Sequence, residues 1–251
     1  MALYLASLLR SGLMSGKVVD DTLMISDLCT GTGCIALLLY SELKRHVTHG
    51  PLIQGIDISD IAVRLARRNV QHNVQLRHVP ETAMEDISFT RGNVLESAMP
   101  GDCIAKCDVF TANPPYISSQ GFKSETSRSV RNYEPRLALV PSLPVACAGG
   151  VHDGDVFYTA LLWRARDSRA KVVMLEVADL RQARRVVKMA KAHDYWAGLE
   201  IWRDRPEMEA NELRDSDRAD IESDDVLVKG QGHGRAVVCW SADGARLLGK
   251  A

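Results

Sequence analysis

The chain has 251 residues, 46% hydrophobic and 25% charged, which suits one sizeable α/β core and excludes disordered, collagen-like and disulfide-stapled chains. Its 31 Lys and Arg against 32 Asp and Glu leave a formal charge of -1, so there is no global electrostatic footprint for a nucleic-acid polyanion. No apolar run approaches the roughly 20 residues of a membrane span. Cysteines at 29, 34, 103, 107, 147 and 239 lack zinc or thioredoxin spacing and read as free thiols.

In chain order, residues 1–10 read as an apolar helix leading into the domain, within the segment 1–21. Residues 22–29 form a predicted strand ended by Thr30-Gly31-Thr32-Gly33, and 34–43 have the composition of a buried helix. The pattern repeats with a strand over 51–58, an N-cap at Ser59 or Asp60, and a helix reaching Asn73. Strands follow at 86–91 and 107–112, the latter stopped by Asn113-Pro114-Pro115. Residues 116–154 read as a long functional loop. A helix over 156–166, a strand over 171–177, a basic amphipathic helix over 179–193 and strands over 195–203 and 235–241 complete the chain. From Arg203 to Arg235 there are ten acidic and six basic residues and no aromatic, which predicts a mobile charged loop. Alternating strands and helices predict one α/β domain over 1–251: a mostly parallel, seven-stranded, Rossmann-like sheet with helices on both faces and a C-terminal antiparallel hairpin.

Gly31, Gly33 and the small Ala36 satisfy a nucleotide-binding fingerprint between a strand and a helix. Small residues let the backbone approach a ligand, and the helix N-terminus offers N–H groups to its anionic parts. Asp57 ends the second strand, where its carboxylate can accept from both hydroxyls of a ribose. These residues leave a nicotinamide dinucleotide and S-adenosyl-L-methionine both open. Asn113-Pro114-Pro115-Tyr116 decides between them. Pro114 and Pro115 stiffen the turn and leave the Asn113 side-chain oxygen and the Pro114 carbonyl as converging acceptors, which suit a planar NH₂ group. An amide nitrogen is a poor nucleophile, but S-adenosylmethionine holds a methyl already activated by the sulfonium, so alignment is the main requirement. No metal is called for. Tyr116 can pack on the flat acceptor and exclude water, and Glu134 can hydrogen-bond the Asn113 loop or the substrate. The basic helix residues Arg181, Arg184, Arg185, Lys188 and Lys191 read as a solvated outer face, and His152 beside Asp153 as incidental.

Four blocks resemble the glutamine methyltransferase family that modifies class 1 peptide-chain release factors. They are Asp27 to Leu37, Gly55 to Ser59, Asn113 to Ile117 and Tyr133-Glu134-Pro135-Arg136-Leu137-Ala138-Leu139, with Asp153-Gly154 and Leu175-Glu176-Val177 beyond them. The resemblance implies methyl transfer from S-adenosyl-L-methionine to the amide nitrogen of the glutamine in a Gly-Gly-Gln loop. It implies that Asp27, Thr30, Gly31 and Gly33 hold the methionine end of the cofactor, Asp57 the ribose, and Ile58 and Asn93 the adenine, with Asn113 at the donor. Asn113, Pro114 and Pro115 would bind the substrate amide with Tyr116 beside it. In the family a helical docking domain and a Pro-Arg-x-Glu-Thr-Glu-like segment precede the first strand; here 21 residues do, so the expected chain lacks the docking half. Ala178 stands where the family has Gly, and Gly149-Gly150 are displaced. Such drift points to an organellar branch, hence a mitochondrial rather than cytoplasmic enzyme, expected as a monomer with a release factor as partner and without direct nucleic-acid binding. An adenine amino methyltransferase and a non-catalytic remnant are the alternatives.

Overall fold

The computed structural model describes residues 1–15, 22–96, 106–124, 126–141, 152–209 and 226–250. Among these, the strands are β1 (Leu23–Leu28), β2 (Pro51–Asp57), β3 (Ile87–Arg91), β4 (Val109–Ala112), β5 (Val172–Glu176), β6 (Gly198–Arg205), β7 (Leu227–Lys229) and β8 (Gln231–Trp240). They join in one sheet in the order β3-β2-β1-β4-β5-β8-β6-β7. β1 to β5 are mutually parallel, and β8 enters antiparallel between β5 and β6. The chain order reverses direction between β1 and β4, which opens a crevice at the carboxyl ends of those two strands.

Helices cover both faces, and the central strands are accordingly largely apolar, apart from buried Ser26 and Asp27 on β1 and Thr111 on β4. On one side α1 (Ala2–Met14), α2 (Cys34–Leu43), α3 (Asp60–Gln75) and α9 (Ala242–Leu247) enclose Leu5, Leu9, Leu39, Tyr40 and Trp202. On the other, α7 (Val156–Asp167) and α8 (Leu180–Lys191) close over Phe110, Tyr158, Leu161, Leu162 and Val187. The helix starts follow the capping logic of the sequence: Ser59 accepts from the Ala62 N–H to open α3, and Asp179 accepts from the Gln182 N–H at 2.7 Å to open α8.

Gly33 and Gly55 are required by one aromatic ring. Phe89 is buried, and a Cβ on Gly33 would stand 2.8 Å from its Cζ, while one on Gly55 would stand 2.6 Å from its Cε1. The ring fills space that both glycines leave, locking β2, β3 and the start of α2 together.

Three expectations are corrected. The described sheet has eight strands and not seven, because Leu227–Lys229 adds parallel to β6 through pairs such as Ile201 with Val228. The charged loop expected over 203–235 is shorter at both ends: Arg203 to Arg205 belong to β6, and 227–229 and 231–235 to β7 and β8. Leu227 and Val228 let a short run pair on the sheet edge that the charge count over the whole interval concealed, and the stretch 210–225 lies outside the described residues. Residues 116–141 are not structureless either. They carry α4's successors α5 (Ser119–Ser124) and α6 (Arg128–Tyr133), α4 itself being Ala83–Asp86, and a single 3₁₀ turn at Arg136–Ala138. Ser127 caps α6 by accepting from the Val130 N–H. Cys103, Cys147 and Gly149-Gly150 lie outside the described residues.

Candidate active site

The carboxyl ends of the parallel strands bring the predicted residues to one edge of the sheet. β1 pairs with β4 through Asp27 with Thr111 and Leu28 with Ala112, so Asn113 leaves the sheet beside Cys29, where the glycine turn begins. That turn alternates into the left-handed region at Cys29, Gly31 and Gly33 (φ 55°, 56° and 77°). Gly33 is the N-cap of α2, and the space beside Gly31 is open, with no atom within 4 Å of where a side chain would begin. An open backbone cradle at a helix N-terminus fits an anionic ligand group.

Two carboxylates shape this turn from opposite sides. Asp27 lies beneath it, buried, accepting from the Thr30 hydroxyl at 2.6 Å and the Thr111 hydroxyl at 2.7 Å. Asp57, at the end of β2, accepts from the Gly31 N–H and from the Ser59 N–H, each at 2.9 Å. Each Asp57 oxygen keeps a lone pair for a ribose hydroxyl. The structure therefore assigns Asp57 a task its sequence position did not reveal: it holds Gly31 in place as well as facing the crevice.

Burial pushes the Asp27 carboxyl up to about 6 from an ordinary 3.8, against the opposing hydrogen bonds from Thr30 and Thr111. Since the folded value lies above the unfolded one, the stability Asp27 contributes is fully present below about pH 4 and is lost as pH rises through about 6. The stability of the natural chain relative to Asp27→Asn, read from urea melts, should thus decline between about pH 4 and pH 7. A difference independent of pH would contradict the assignment.

Of the residues expected at the adenine, Ile58 is exposed just past β2 and Asn93 lies in the turn after β3. There Asn93 accepts from the Leu95 N–H at 3.1 Å and donates to Glu96 at 3.2 Å, so its amide is engaged within its own loop. Arg164, reaching over from α7, clamps that loop by donating to the Val94 carbonyl at 2.8 Å and to the Glu96 carbonyl. Sequence reading missed Arg164, and no spacing marks it.

At the Asn-Pro-Pro-Tyr corner, expected to meet the acceptor, Asn113 is exposed and Pro114 buried. The Asn113 side chain makes no hydrogen bond among the described residues. Tyr116 is half-buried, and its hydroxyl donates to Glu176 Oε1 at 3.2 Å. Burial, reinforced by the Glu176 charge, pushes the Tyr116 phenol up to about 12, so it remains a donor at neutral pH. Burial likewise raises the Glu176 carboxyl, opposed by the Tyr116 hydrogen bond and the nearby Arg235. Beyond Tyr116, the Ile117 N–H donates to the Leu139 carbonyl at 2.9 Å, which ties the Asn-Pro-Pro-Tyr corner to the end of the Tyr133 to Leu139 block. The Glu134 carboxylate is exposed and makes no hydrogen bond among the described residues, but its charge acts on the Tyr116 phenol, while its backbone N–H closes α6.

Other expectations resolve simply. Burial pushes the Cys29 thiol up, with Asp57 and Asp27 adding to it, so it is a poor thiolate and not a reactive group. Arg185 does not belong to a solvated face: it turns inward and pairs with the buried Asp155 through Nε and, at 3.0 Å, Nη2. Asp153 Oδ2 accepts from the Ser119 N–H at 2.8 Å, and its Oδ1 lies 3.6 Å from His152 Nδ1, a pairing at the protein surface that methyl transfer does not require. No cluster of three or more His, Cys, Asp or Glu side chains among the described residues could hold a metal ion.

No family model matches the chain. It is 30% identical over 188 residues to a Schizosaccharomyces pombe protein described as a probable MRF1 mitochondrial N(5)-glutamine methyltransferase, covering 71% of this chain and 55% of that one. It is 34% identical over 121 residues to the mitochondrial MRF1 N(5)-glutamine methyltransferase of Saccharomyces cerevisiae, covering 48% of this chain and 34% of the other. The chain thus spans about half the length of the first relative and a third of the second. In fold it resembles a putative class I S-adenosylmethionine-dependent methyltransferase from Listeria monocytogenes, with a TM-score of 0.50 at 13% identity over 96% of this chain and 60% of that one. The described fold is that of the class I methyltransferases, and along this domain the chain is a sequence relative of the release-factor glutamine methyltransferases.

Proposed function

We propose that the chain transfers a methyl group from S-adenosyl-L-methionine to the side-chain amide nitrogen of a glutamine, and that this glutamine lies in the Gly-Gly-Gln loop of a class 1 peptide-chain release factor. The observation that carries the reading is the placement of Asn113: exposed, without a partner among the described residues, and set on β4 directly beside the glycine turn that follows β1. The names of the two yeast relatives support the acceptor and a mitochondrial location.

The residues present fit the cofactor. Thr30, Gly31 and Gly33 would hold its methionine end over Asp27, Asp57 its ribose, and Ile58 and the Asn93 turn its adenine. When bound, S-adenosylmethionine supplies a methyl group made electrophilic by its sulfonium. The chain's own part is alignment. Asn113 Oδ1 and the Pro114 carbonyl would accept the two N–H bonds of the substrate amide and stabilise the positive charge that develops on nitrogen as its bond to the methyl carbon forms and the methyl–sulfur bond breaks, S-adenosylhomocysteine leaving and one amide proton passing to solvent. Pro115 keeps the corner stiff, and the Tyr116 ring, held by Glu176, forms a wall that excludes water. Flanking glycines on the substrate would let a slim loop reach the bottom of the crevice.

The test supplies the recombinant chain with tritiated S-adenosylmethionine and either a release factor, the same factor with its loop glutamine changed to alanine, or DNA and RNA. Label on the intact factor alone is expected. Label on nucleic acid would establish an adenine amino methyltransferase instead, and absence of cofactor binding by calorimetry would establish a non-catalytic protein. Cell fractionation with an epitope-tagged chain tests the mitochondrial location.

A further inference from the structure

Gln182 sits at the third position of α8, where a glutamine commonly completes a capping box. Its side chain comes close to this: Oε1 accepts from the Ala178 N–H at 2.8 Å, one residue ahead of the Asp179 cap, whose own carboxylate accepts from the Gln182 N–H. Capping accounts for one end of the amide. The other end points into the protein, where the side chain is 2% exposed. Nε2 lies 3.2 Å from the Tyr116 carbonyl, 3.1 Å from the Gly154 carbonyl and 2.9 Å from Asp155 Oδ1. Two N–H bonds are thus shared among three acceptors. Oε1 also receives the Tyr158 hydroxyl at 3.3 Å, and that hydroxyl lies 2.9 Å from the Glu176 carbonyl.

One buried amide therefore joins the loop after β4, the turn before α7 and the end of β5. Tyr116 is the last residue of the acceptor corner, and Gly154 approaches its carbonyl so closely that a Cβ there would stand 2.6 Å away. Asp155, fixed in turn by Arg185, holds the Gln182 nitrogen toward that carbonyl. We propose that Gln182 is a positioning residue for methyl transfer: it touches neither substrate nor cofactor, and sets the direction in which the Asn113–Tyr116 corner presents its acceptors. This inference rests on the functional reading above for its catalytic consequence, while its structural half stands independently of it.

The experiment compares the full natural chain with Gln182→Glu and Val187→Ala. Glutamate keeps the volume and the capping oxygen but replaces the donor with an oxygen facing two carbonyls and a carboxylate. Val187→Ala opens a small gap in the core further along the same helix and controls for lost stability. In Gln182→Glu the Ile117 amide, which donates to the Leu139 carbonyl, should exchange hydrogen about tenfold faster or more, with residues 27–37 unchanged; at matched thermal stability Val187→Ala should show neither effect. With the release factor as substrate, kcat should fall by about ten- to a hundredfold with the cofactor Kd within about twofold. Natural exchange at Ile117 in Gln182→Glu, or a loss of kcat no larger than in Val187→Ala, would overturn the proposal. If the natural chain transfers no methyl group, the functional reading fails, and the exchange data still decide whether Gln182 holds the corner. Should Gln182→Glu not fold, Gln182→Met is measured in the same way.

Discussion

Changing Asn113 to alanine should lower turnover on the release factor about a hundredfold or more, while the dissociation constant of S-adenosylmethionine moves by about twofold or less. The asymmetry follows from where the residue sits. Asn113 bonds to none of the described residues, so its loss costs the fold little, and the glycine turn that would receive the donor is organised by Asp27 and Asp57. What disappears is one of two acceptors aimed at a nitrogen whose lone pair is otherwise delocalised into its carbonyl. The remaining acceptor, the Pro114 carbonyl, belongs to the backbone and cannot rotate to compensate. Single-turnover assays at saturating donor, with calorimetric titration of the donor alone, separate the two quantities. Unchanged turnover would remove Asn113 from the chemistry.

Asp57→Ala should produce the opposite pattern, raising the cofactor dissociation constant about tenfold to a hundredfold, because bonds to a charged partner are worth roughly 1.5–3 kcal/mol. Two losses combine here. The ribose hydroxyls lose a charged acceptor, and the Gly31 and Ser59 N–H groups, each at 2.9 Å from the carboxylate, lose theirs. Gly31 is left-handed with open space beside it, so its own N–H loses its anchor even though Thr30 stays tied to Asp27 and to the Ile56 carbonyl. Asp57→Asn distinguishes the contributions: its remaining carbonyl oxygen can serve one of the two N–H donors, and an intermediate affinity is expected. Equal affinity in all three proteins by calorimetry would place the ribose elsewhere.

Local chemistry explains which parts were readable beforehand. Helix α2 begins and ends at the expected Cys34 and Leu43 because a left-handed glycine caps it and an apolar run fills it. Ser59, Asp57 and Asn113 stand at strand ends, where composition changes abruptly. Features decided by partners far along the chain were not readable. Arg185 looks like one more cation on a basic helix until Asp155, 30 residues earlier, is seen to receive it. Gln182 carried a visible signal, the Asp-x-x-Gln spacing of a cap, but that spacing says nothing of the Tyr116 carbonyl 66 residues away. Likewise Ser241, which accepts from the Gly244 N–H to open α9, was a recognisable cap that a reading ended at the last strand passed over. The small edge strand Leu227–Lys229 was lost to averaging over its charged neighbours.

The Phe89 ring has an evolutionary corollary. Because a single phenyl group occupies the volume forgone by Gly33 and Gly55, these three sites cannot diverge independently. A smaller residue at 89 would relieve most of the crowding at 55 and would leave a void without a compensating Cβ, although Thr30 Oγ1, 2.9 Å from that position, would still have to shift; at 33 the left-handed backbone would still resist the change. Variation there should appear as paired exchanges, one side chain shrinking as another grows, so that drift in the sheet interior is channelled away from the nucleotide turn.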